Sequence, residues 1–349
     1  MNKKLIATAV AATLAAPAAM AQVETYIRIN NALDFFDPDG GDTTTDLRNV
    51  SSRFGFRATA DLGNGNMAHG RYEFSTFTDR EGSKLTLVDS DGDGQADSQF
   101  GSNTRGGIND TRIGTVGLSN DNWGRIDAGN QWSAYYQSVG THMSPTYSLG
   151  YYLYSSIGGG PFRASNTVKY SNSWGPVSLE LDTRFSQDST LSGADVEKIG
   201  ADNGEDFLDG FGVGLSFAIT PTFSLAAAVD SELFDVGDDT DRLGLAFNFA
   251  INPMHRIAGG WQNIDTGAGG RDDDSAIVYY HGNNGGANSW SLGYGVGEEA
   301  GFDPSMVFLA FYHNWGGGFK SYFEAVALDG DSGPRGDANQ LILGLRFDM

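Results

Sequence analysis

The acidic stretch from Asp89 to Asp97 carries ligand-bearing side chains at a regular spacing. It reads D-x-D-x-D-G-x-x-D. In a loop of this spacing, positions 1, 3, 5 and 9 offer side-chain oxygens, position 7 offers a backbone carbonyl, and the glycine at position 6 makes the sharp turn. The candidate calcium ligands are therefore Asp89, Asp91, Asp93, Gln95 and Asp97. Phe100 replaces the bidentate glutamate at position 12, so we predict a low-affinity site; the alternative is a solvated acidic loop.

Other chemistry is poorly represented in the chain. There is no cysteine, which excludes thiolate metal sites and a cysteine nucleophile. None of the five histidines lies in a recognisable catalytic motif, and no phosphate-binding loop or dinucleotide fingerprint is present. We therefore predict that the protein is not an enzyme and requires no cofactor. A formal charge of −22 argues against a nucleic-acid partner, because phosphate needs a basic face.

The first 21 residues have the layout of a secretory signal peptide. Lys3 and Lys4 precede an apolar, alanine-rich run from Leu5 to Ala16, and Ala19-Met20-Ala21 fits the small-x-small cleavage rule. We predict cleavage after Ala21 and a single mature domain over 22–349. No later run approaches the ~18 apolar residues that a spanning helix needs.

The mature chain consists of short segments in which apolar and polar residues alternate. Val23 to Asn30 and Arg53 to Ala58 show this period of two, and similar runs recur to Leu341–Phe347. Period two with aromatic and β-branched residues indicates strands. We count sixteen, starting near Val23, Arg48, Met67, Asp110, Gly124, Ser165, Val177, Phe207, Phe223, Asp241, His255, Ser275, Asn288, Met306, Phe319 and Asn339.

The connectors between these strands largely alternate between tight and long. Tight ones include Leu62–Asn66 and Trp315–Gly318, whereas Asp79–Thr104 and Asp188–Asp206 are long and acidic. An up-and-down barrel with short turns at one end and longer loops at the other has this layout. We predict an all-β, sixteen-stranded antiparallel transmembrane β-barrel; a soluble sandwich or propeller is the alternative.

In these segments the chain resembles the general bacterial porins of Gram-negative outer membranes. The matching pieces run along nearly the whole chain, among them Val23–Ile29, Ser52–Arg57, Arg112–Leu118, Trp123–Gln131 and Asn166–Tyr170. The resemblance implies a trimeric barrel narrowed by a third loop that folds into the lumen. One departure is the end of the chain, where Met349 stands in place of the usual terminal phenylalanine, two residues after Phe347.

The resemblance also implies a constriction lined by arginines. The strand matches place Arg28, Arg53, Arg112 and Arg163 there, with Arg71 as a further candidate. A separate physical reason supports a position in the lumen, because an arginine facing lipid at mid-membrane costs ~2–4 kcal/mol. The alternative is that these arginines are ion-paired wall residues without a selective role.

The expected third loop, from about Trp132 to Phe162, contains no acid. His142 and Thr146 stand where the family places its acids, so we include them in the predicted constriction. The loop is instead rich in tyrosine, which indicates packing against the wall or hydroxyls lining the passage.

These features favour a water-filled channel in the Gram-negative outer membrane for passive diffusion of ions and small hydrophilic solutes. Its expected partners are those solutes, the surrounding lipid and two further copies in a homotrimer. The acidic composition predicts cation enrichment at the mouths, whereas the arginines predict a weak anion preference at the narrowest point. A substrate-specific channel, a β-barrel enzyme and a secreted calcium-binding β protein are the alternatives.

Overall fold

A computed structural model describes residues 21–78, 85–88, 98–101, 107–149, 154, 161–185, 208–232, 239–267, 272–298, 302–330 and 337–349. Their strands are β1 Gln22–Pro38, β2 Thr44–Asn49, β3 Arg53–Gly63, β4 Asn66–Phe77, β5 Leu85–Val88, β6 Ser98–Gly101, β7 Gly107–Asn120, β8 Gly124–Trp132, β9 Arg163–Trp174, β10 Val177–Phe185, β11 Leu208–Thr220, β12 Phe223–Glu232, β13 Thr240–Asn252, β14 His255–Asp265, β15 Asp272–Asn283, β16 Asn288–Glu298, β17 Ser305–Gly316, β18 Phe319–Asp329 and β19 Ala338–Asp348. A π-helical turn, Tyr136–Gly140, continues into the short helix α1, Thr141–Met143.

Seventeen of these strands form one antiparallel sheet that closes on itself. β1 pairs with β19 along one edge and with β3 and then β2 along the other. β2 and β3 together make one passage along the wall, interrupted at residues 50–52, where Ser51 adopts a left-handed φ of 58°. The wall therefore has sixteen strands, which confirms the predicted barrel. The predicted strand start near Arg48 falls inside β2. The sequence predicts one continuous strand here, whereas the structure divides it into β2 and β3.

The two ends of the barrel carry connectors of different length, as the sequence predicts. Tight turns join β3 to β4 through Asn64-Gly65 and β17 to β18 through Gly317-Gly318, and all four residues have positive φ. Asparagine and glycine tolerate this conformation, which hairpin turns of this kind require. The longer connectors all lie at the opposite end. One of them contains the separate hairpin β5–β6. The predicted signal peptide, up to residue 20, and the acidic loop 89–97 lie outside the described residues.

The two faces of the wall follow the alternation of the sequence. On β13, Leu243 and Leu245 are 44% and 50% exposed on the outer face, whereas Arg242 and Ala246 on either side of this pair are buried inside. Successive strand residues point to opposite faces, so every second position faces outward. Phe347 follows the outward parity of Leu343 and Leu345 and lies opposite Ile29 and Phe319. The aromatic residue near the end of the chain therefore lies on the outer face despite its shift from the terminus.

The hydrophobic core lies within the ring of strands, beside the segment 133–149 that connects β8 to β9. Tyr135, Val139 and Met143 are fully buried there. No helix among the residues with assigned structure is long and apolar enough to cross a membrane.

Candidate functional site

A buried carboxylate on β4, Glu73, binds three arginines from three neighbouring strands. Its oxygens lie 3.3 Å from Arg53 Nη1, 2.9 Å from Arg71 Nη2 and 3.0 Å from Arg112 Nε. The Tyr26 hydroxyl donates a fourth hydrogen bond to Glu73, at 2.8 Å. Glu73 is only 1% exposed, so its contacts are shielded from bulk water. One negative charge thus holds three positive charges on one patch of the inner wall.

A second carboxylate, Asp348 near the end of β19, repeats the arrangement beside the first. It lies 2.7 Å from Arg28 Nε, 2.8 Å from Arg346 Nε and 3.2 Å from Lys320 Nζ. The two groups together place six cationic side chains around two carboxylates, which we call the cationic cluster. Its members are Arg28, Arg53, Arg71, Arg112, Lys320 and Arg346, with Glu73 and Asp348.

The four arginines named from the sequence are brought together. Arg28 and Arg53 lie directly opposite each other on β1 and β3. Neighbouring positive charges repel each other along the series Arg28, Arg53, Arg112 and Arg163. The Arg163 guanidinium stacks on the Trp132 ring, 5.5 Å from its centroid. The absence of acids from the third loop does not leave the arginines unopposed, because their acids, Glu73 and Asp348, lie on the wall.

Arg112 reaches the inner face only because of a β-bulge. Glu73 pairs with Ile113, but the next residue, Phe74, pairs with Thr111, so Arg112 is an extra residue in β7. A bulge of this kind re-aims a side chain relative to simple alternation. By parity Arg112 would otherwise share the outer face with Val116 and Leu118, which are 67% and 46% exposed. The bulge turns the guanidinium towards Glu73.

The segment 133–149 contacts the far side of the inner wall. The Ala134 amide donates to Asp182 on β10, and the Tyr135 hydroxyl donates to Gln262 on β14 at 3.2 Å. Two glycines make room for the turn. A Cβ at Gly244 would lie 2.6 Å from the Tyr135 hydroxyl, and one at Gly260 would lie 2.8 Å from Met143. These strands therefore accept the segment because they lack side chains at the points of contact.

Glu324 on β18 anchors the other end of this segment. Its two oxygens accept the backbone amides of Tyr147, Ser148 and Leu149 at 2.6–3.1 Å. The Tyr312 hydroxyl adds a fourth hydrogen bond at 3.0 Å. Glu324 is 1% exposed, and such a charge is stable in a buried position only when its lone pairs are satisfied. The anchor fixes the backbone next to the cationic cluster, since Arg346 stacks over Tyr147 at 4.4 Å.

His142 and Thr146 have other surroundings than predicted. Thr146 Oγ1 accepts the Leu149 amide at 3.1 Å, so its hydroxyl shapes the turn that Glu324 holds. His142 lies on α1 near Arg256 of β14; burial, and then that positive charge, lower its pKa. Neither contacts Glu73 or Asp348 among the described residues. Tyr136, one of the tyrosines of this loop, lies beside Arg53, Arg112 and Arg163.

A third charged group lies on the wall opposite the cluster. Arg184 and Arg242 both pair with Asp230, and both contact Glu232 at 3.5 and 3.2 Å. Asp182 lies 3.6 Å from Arg184 and also accepts the Ala134 amide. This group has more acids than bases and is largely buried.

Within the described ranges no three side chains are arranged to hold a metal ion, and the calcium candidates fall outside those ranges.

Comparisons with known proteins point to one family and one fold. A family model of the Gram-negative porins matches residues 7–333. The fold is similar to that of an anion-selective porin from Comamonas acidovorans, with a TM-score of 0.70 and 19% identity over 94% of this chain and 100% of that one. It is also similar to OmpF of Salmonella typhi in complex with daunomycin, with a TM-score of 0.68 and 14% identity over 94% and 97% of the two chains. It is similar as well to a trimer form of OmpT from Vibrio cholerae, with a TM-score of 0.63 and 15% identity over 94% of this chain and 99% of that one. No curated protein matches the chain by sequence.

Proposed function

Because the chain belongs to the Gram-negative porin family, we propose that it forms a water-filled outer-membrane channel whose cationic cluster favours anions. Family and fold support an outer-membrane channel rather than an enzyme. One observation carries the finer proposal: six cationic side chains surround only two carboxylates on one patch of the inner wall. Its surplus positive charge lies where passing ions are least screened.

The segment 133–149 is the element that narrows the passage in this proposal. It bonds to Asp182 and Gln262 on one side and to Glu324 on the other. Both sets of contacts are with the polar, inner face of the wall. A segment tied to that face at separate strands crosses the lumen and leaves the passage beside the cationic cluster.

The acidic residues oppose this preference, yet act from further away. Many lie in connectors at the loop end, such as Asp39 and Asp42, and others, such as Asp37, lie at the adjoining strand ends. Exposed charges are screened within about 8 Å at physiological ionic strength, whereas charges in a narrow, partly buried passage are screened less. The positive charge of the arginines therefore outweighs the negative charge at the mouths, and a weak anion preference results.

The remaining features of the proposal follow from the family. The protein is exported with a signal peptide that is cleaved after Ala21, and it assembles as a homotrimer in the outer membrane. A trimer form is known for the Vibrio cholerae relative, and the Comamonas acidovorans relative is anion-selective. The solutes are ions and small hydrophilic molecules. A calcium ion in the loop 89–97 remains a prediction from the sequence, tested by calorimetry on the wild type and on Asp91→Ala.

A planar-bilayer recording under a salt gradient tests the proposal. We expect stepwise conductance and a reversal potential with the sign of chloride preference. The opposite sign would mean that the acidic mouths control permeation. A folded protein that conducts no ions would overturn the channel itself.

A further inference from the structure

A second polar site lies on the inner wall, between the segment 133–149 and the tight-turn end of the barrel. It is a cavity of about 250 Å³ whose wall is formed by β4, β7, β8, β9 and β10. Trp132, the last residue of β8, and Gln137 of the segment line it on the loop side. Apart from Arg71, which lies at its boundary, its lining residues are separate from the cationic cluster.

The charges of this cavity alternate across the strands. Arg125 of β8 lies opposite Ser171 of β9, which lies opposite Glu180 of β10. In the next row of the sheet Asp127 lies opposite Lys169, and Lys169 lies opposite Asp182, so this lysine has an acid on each neighbouring strand. Adjacent rows thus present positive and negative groups side by side, unlike the cationic cluster with its single dominant sign.

The charged groups of the cavity are paired with each other at close range. Arg125 Nη2 lies 2.8 Å from Asp127 Oδ1, and Lys169 Nζ lies 2.8 Å from Glu180 Oε2. Lys169 also donates to the Trp132 carbonyl at 3.3 Å, which ties this pair to the start of the segment. Thr115, Ser171 and Gln137 add uncharged donors and acceptors to the lining.

We propose that this cavity is a binding subsite for small zwitterions of the amino-acid class, an inference that rests on the proposed channel function. A simple anion meets Asp127 and Glu180 there, and a simple cation meets Arg71, Arg125 and Lys169, so neither is favoured. A molecule with both charges sets its carboxylate against the guanidinium groups and its ammonium group against Glu180. Hydrogen bonds to charged groups of this kind are the stronger ones.

The position of the subsite gives it a function in permeation. It adjoins the cationic cluster, because Arg71 lines the cavity while it pairs with Glu73. The guanidinium groups of the cluster attract the carboxylate end of a zwitterion first. The subsite then offers a partner for its ammonium end. Binding of this kind raises the residence of zwitterions in the channel without closing it to other solutes.

Ion current through single channels in a planar bilayer tests the proposal, with three probes of similar size. L-glutamine carries both charges, N-acetyl-L-glutamine only the carboxylate, and L-glutaminamide only the ammonium group. We expect L-glutamine to reduce the current with a saturable concentration dependence, and the two comparison compounds to reduce it weakly and linearly. This comparison uses the wild-type protein alone.

Two variants test whether L-glutamine reduces the current by binding in this cavity. Glu180→Gln removes the partner of the ammonium group and should raise the half-blocking concentration of L-glutamine about tenfold, the loss expected for one hydrogen bond to a charged group. Glu24→Gln is the matched control, because Glu24 is a mostly exposed carboxylate of β1 that pairs with Arg57 outside the cavity; it should leave that concentration unchanged. Equal, linear effects of all three probes, or no shift in Glu180→Gln, would overturn the subsite and leave the channel intact. Absence of conductance in the wild type would instead overturn the channel function.

Discussion

At the scale of single residues, Glu73 decides how much positive charge the inner wall presents. It is the shared partner of Arg53, Arg71 and Arg112, and it is almost completely buried. Removing a shared partner leaves several like charges together, so the local field rises while the arginines lose their positioning contact. In the proposed channel, Glu73 therefore both sets the strength of the local field and holds the cluster in place.

Glu73→Gln should strengthen the anion preference. A unit charge about 8 Å from a passing ion contributes roughly 0.5 kcal/mol in water, so the chloride-to-potassium permeability ratio should rise by a factor of about 2 or more. Reversal potentials under a KCl gradient measure this ratio. Glu24→Gln, which removes a mostly exposed charge at the tight-turn end, is the control and should change it less. An unchanged ratio in Glu73→Gln would show that the cluster does not govern selectivity.

His142 should make the selectivity depend on pH. Burial, and then Arg256, lower its pKa below the ordinary value of 6.5, so the imidazole is neutral at pH 7. Because its folded-state pKa is lowered, the positive charge appears only at a pH below the ordinary value of 6.5. Anion preference should therefore increase from pH 7 to pH 5 in the wild type. In His142→Gln this increase should be smaller, and an identical pH profile of the two proteins would contradict the assignment.

At the scale of elements, the segment 133–149 behaves as a fixed part of the wall. Tyr135, Val139 and Met143 have no exposed surface, and the amides of residues 147–149 end on one carboxylate. An element with this many buried contacts and satisfied amides opens only at considerable cost. In the proposed channel, the width of the passage is therefore set by packing.

Gly244→Leu should displace this segment. The new Cβ would lie 2.6 Å from the Tyr135 hydroxyl and 2.9 Å from a Val139 methyl, and overpacking of this kind costs about 1–3 kcal/mol. We expect a lower unfolding temperature together with noisier and altered single-channel conductance. Gly70→Ala is the matched control, because its nearest neighbour would be 4.0 Å away. Quiet, unchanged conductance in Gly244→Leu would contradict the docking described here.

At the scale of the whole molecule, two charge distributions compete over different distances. At the loop end, acids such as Asp39 and Asp42 are exposed, whereas the cationic cluster is partly buried within the ring of strands. Raising the ionic strength from about 0.01 M to about 0.15 M shortens the screening length from ~30 Å to ~8 Å. The acids at the mouths then no longer act on ions in the passage, although the cluster still does.

We therefore expect chloride preference to increase over this range of salt concentration. Reversal potentials at a fixed concentration ratio and rising total salt measure the change. As a control, protein whose surface carboxylates are converted to neutral amides should show a chloride preference that depends less on the salt concentration. A steady fall in chloride preference across the same range in the wild type would contradict this ranking of the two fields.

Much of this architecture could be predicted from the sequence, because alternation and turn residues are local signals. The starts of β8, β10, β12, β14, β16 and β18 coincide with the predicted ones. The site was harder to predict. Parity places Arg112 on the wrong face, since a bulge leaves no mark in the pattern. The bonds from Glu324 to the segment join residues about 175 positions apart, and no local signal reports such contacts.

The seam between β1 and β19 has a consequence for how the molecule is made. Ile27 and Met349 exchange two backbone hydrogen bonds, at 2.9 and 3.0 Å, and the pairing continues up to Pro38 and Ala338. The ring cannot close until the last strand has arrived, and until then the first strand presents an open edge to any other chain. A nascent chain that stops before β19 is therefore an aggregation hazard, and the cell must keep its first strand protected for the whole time of export.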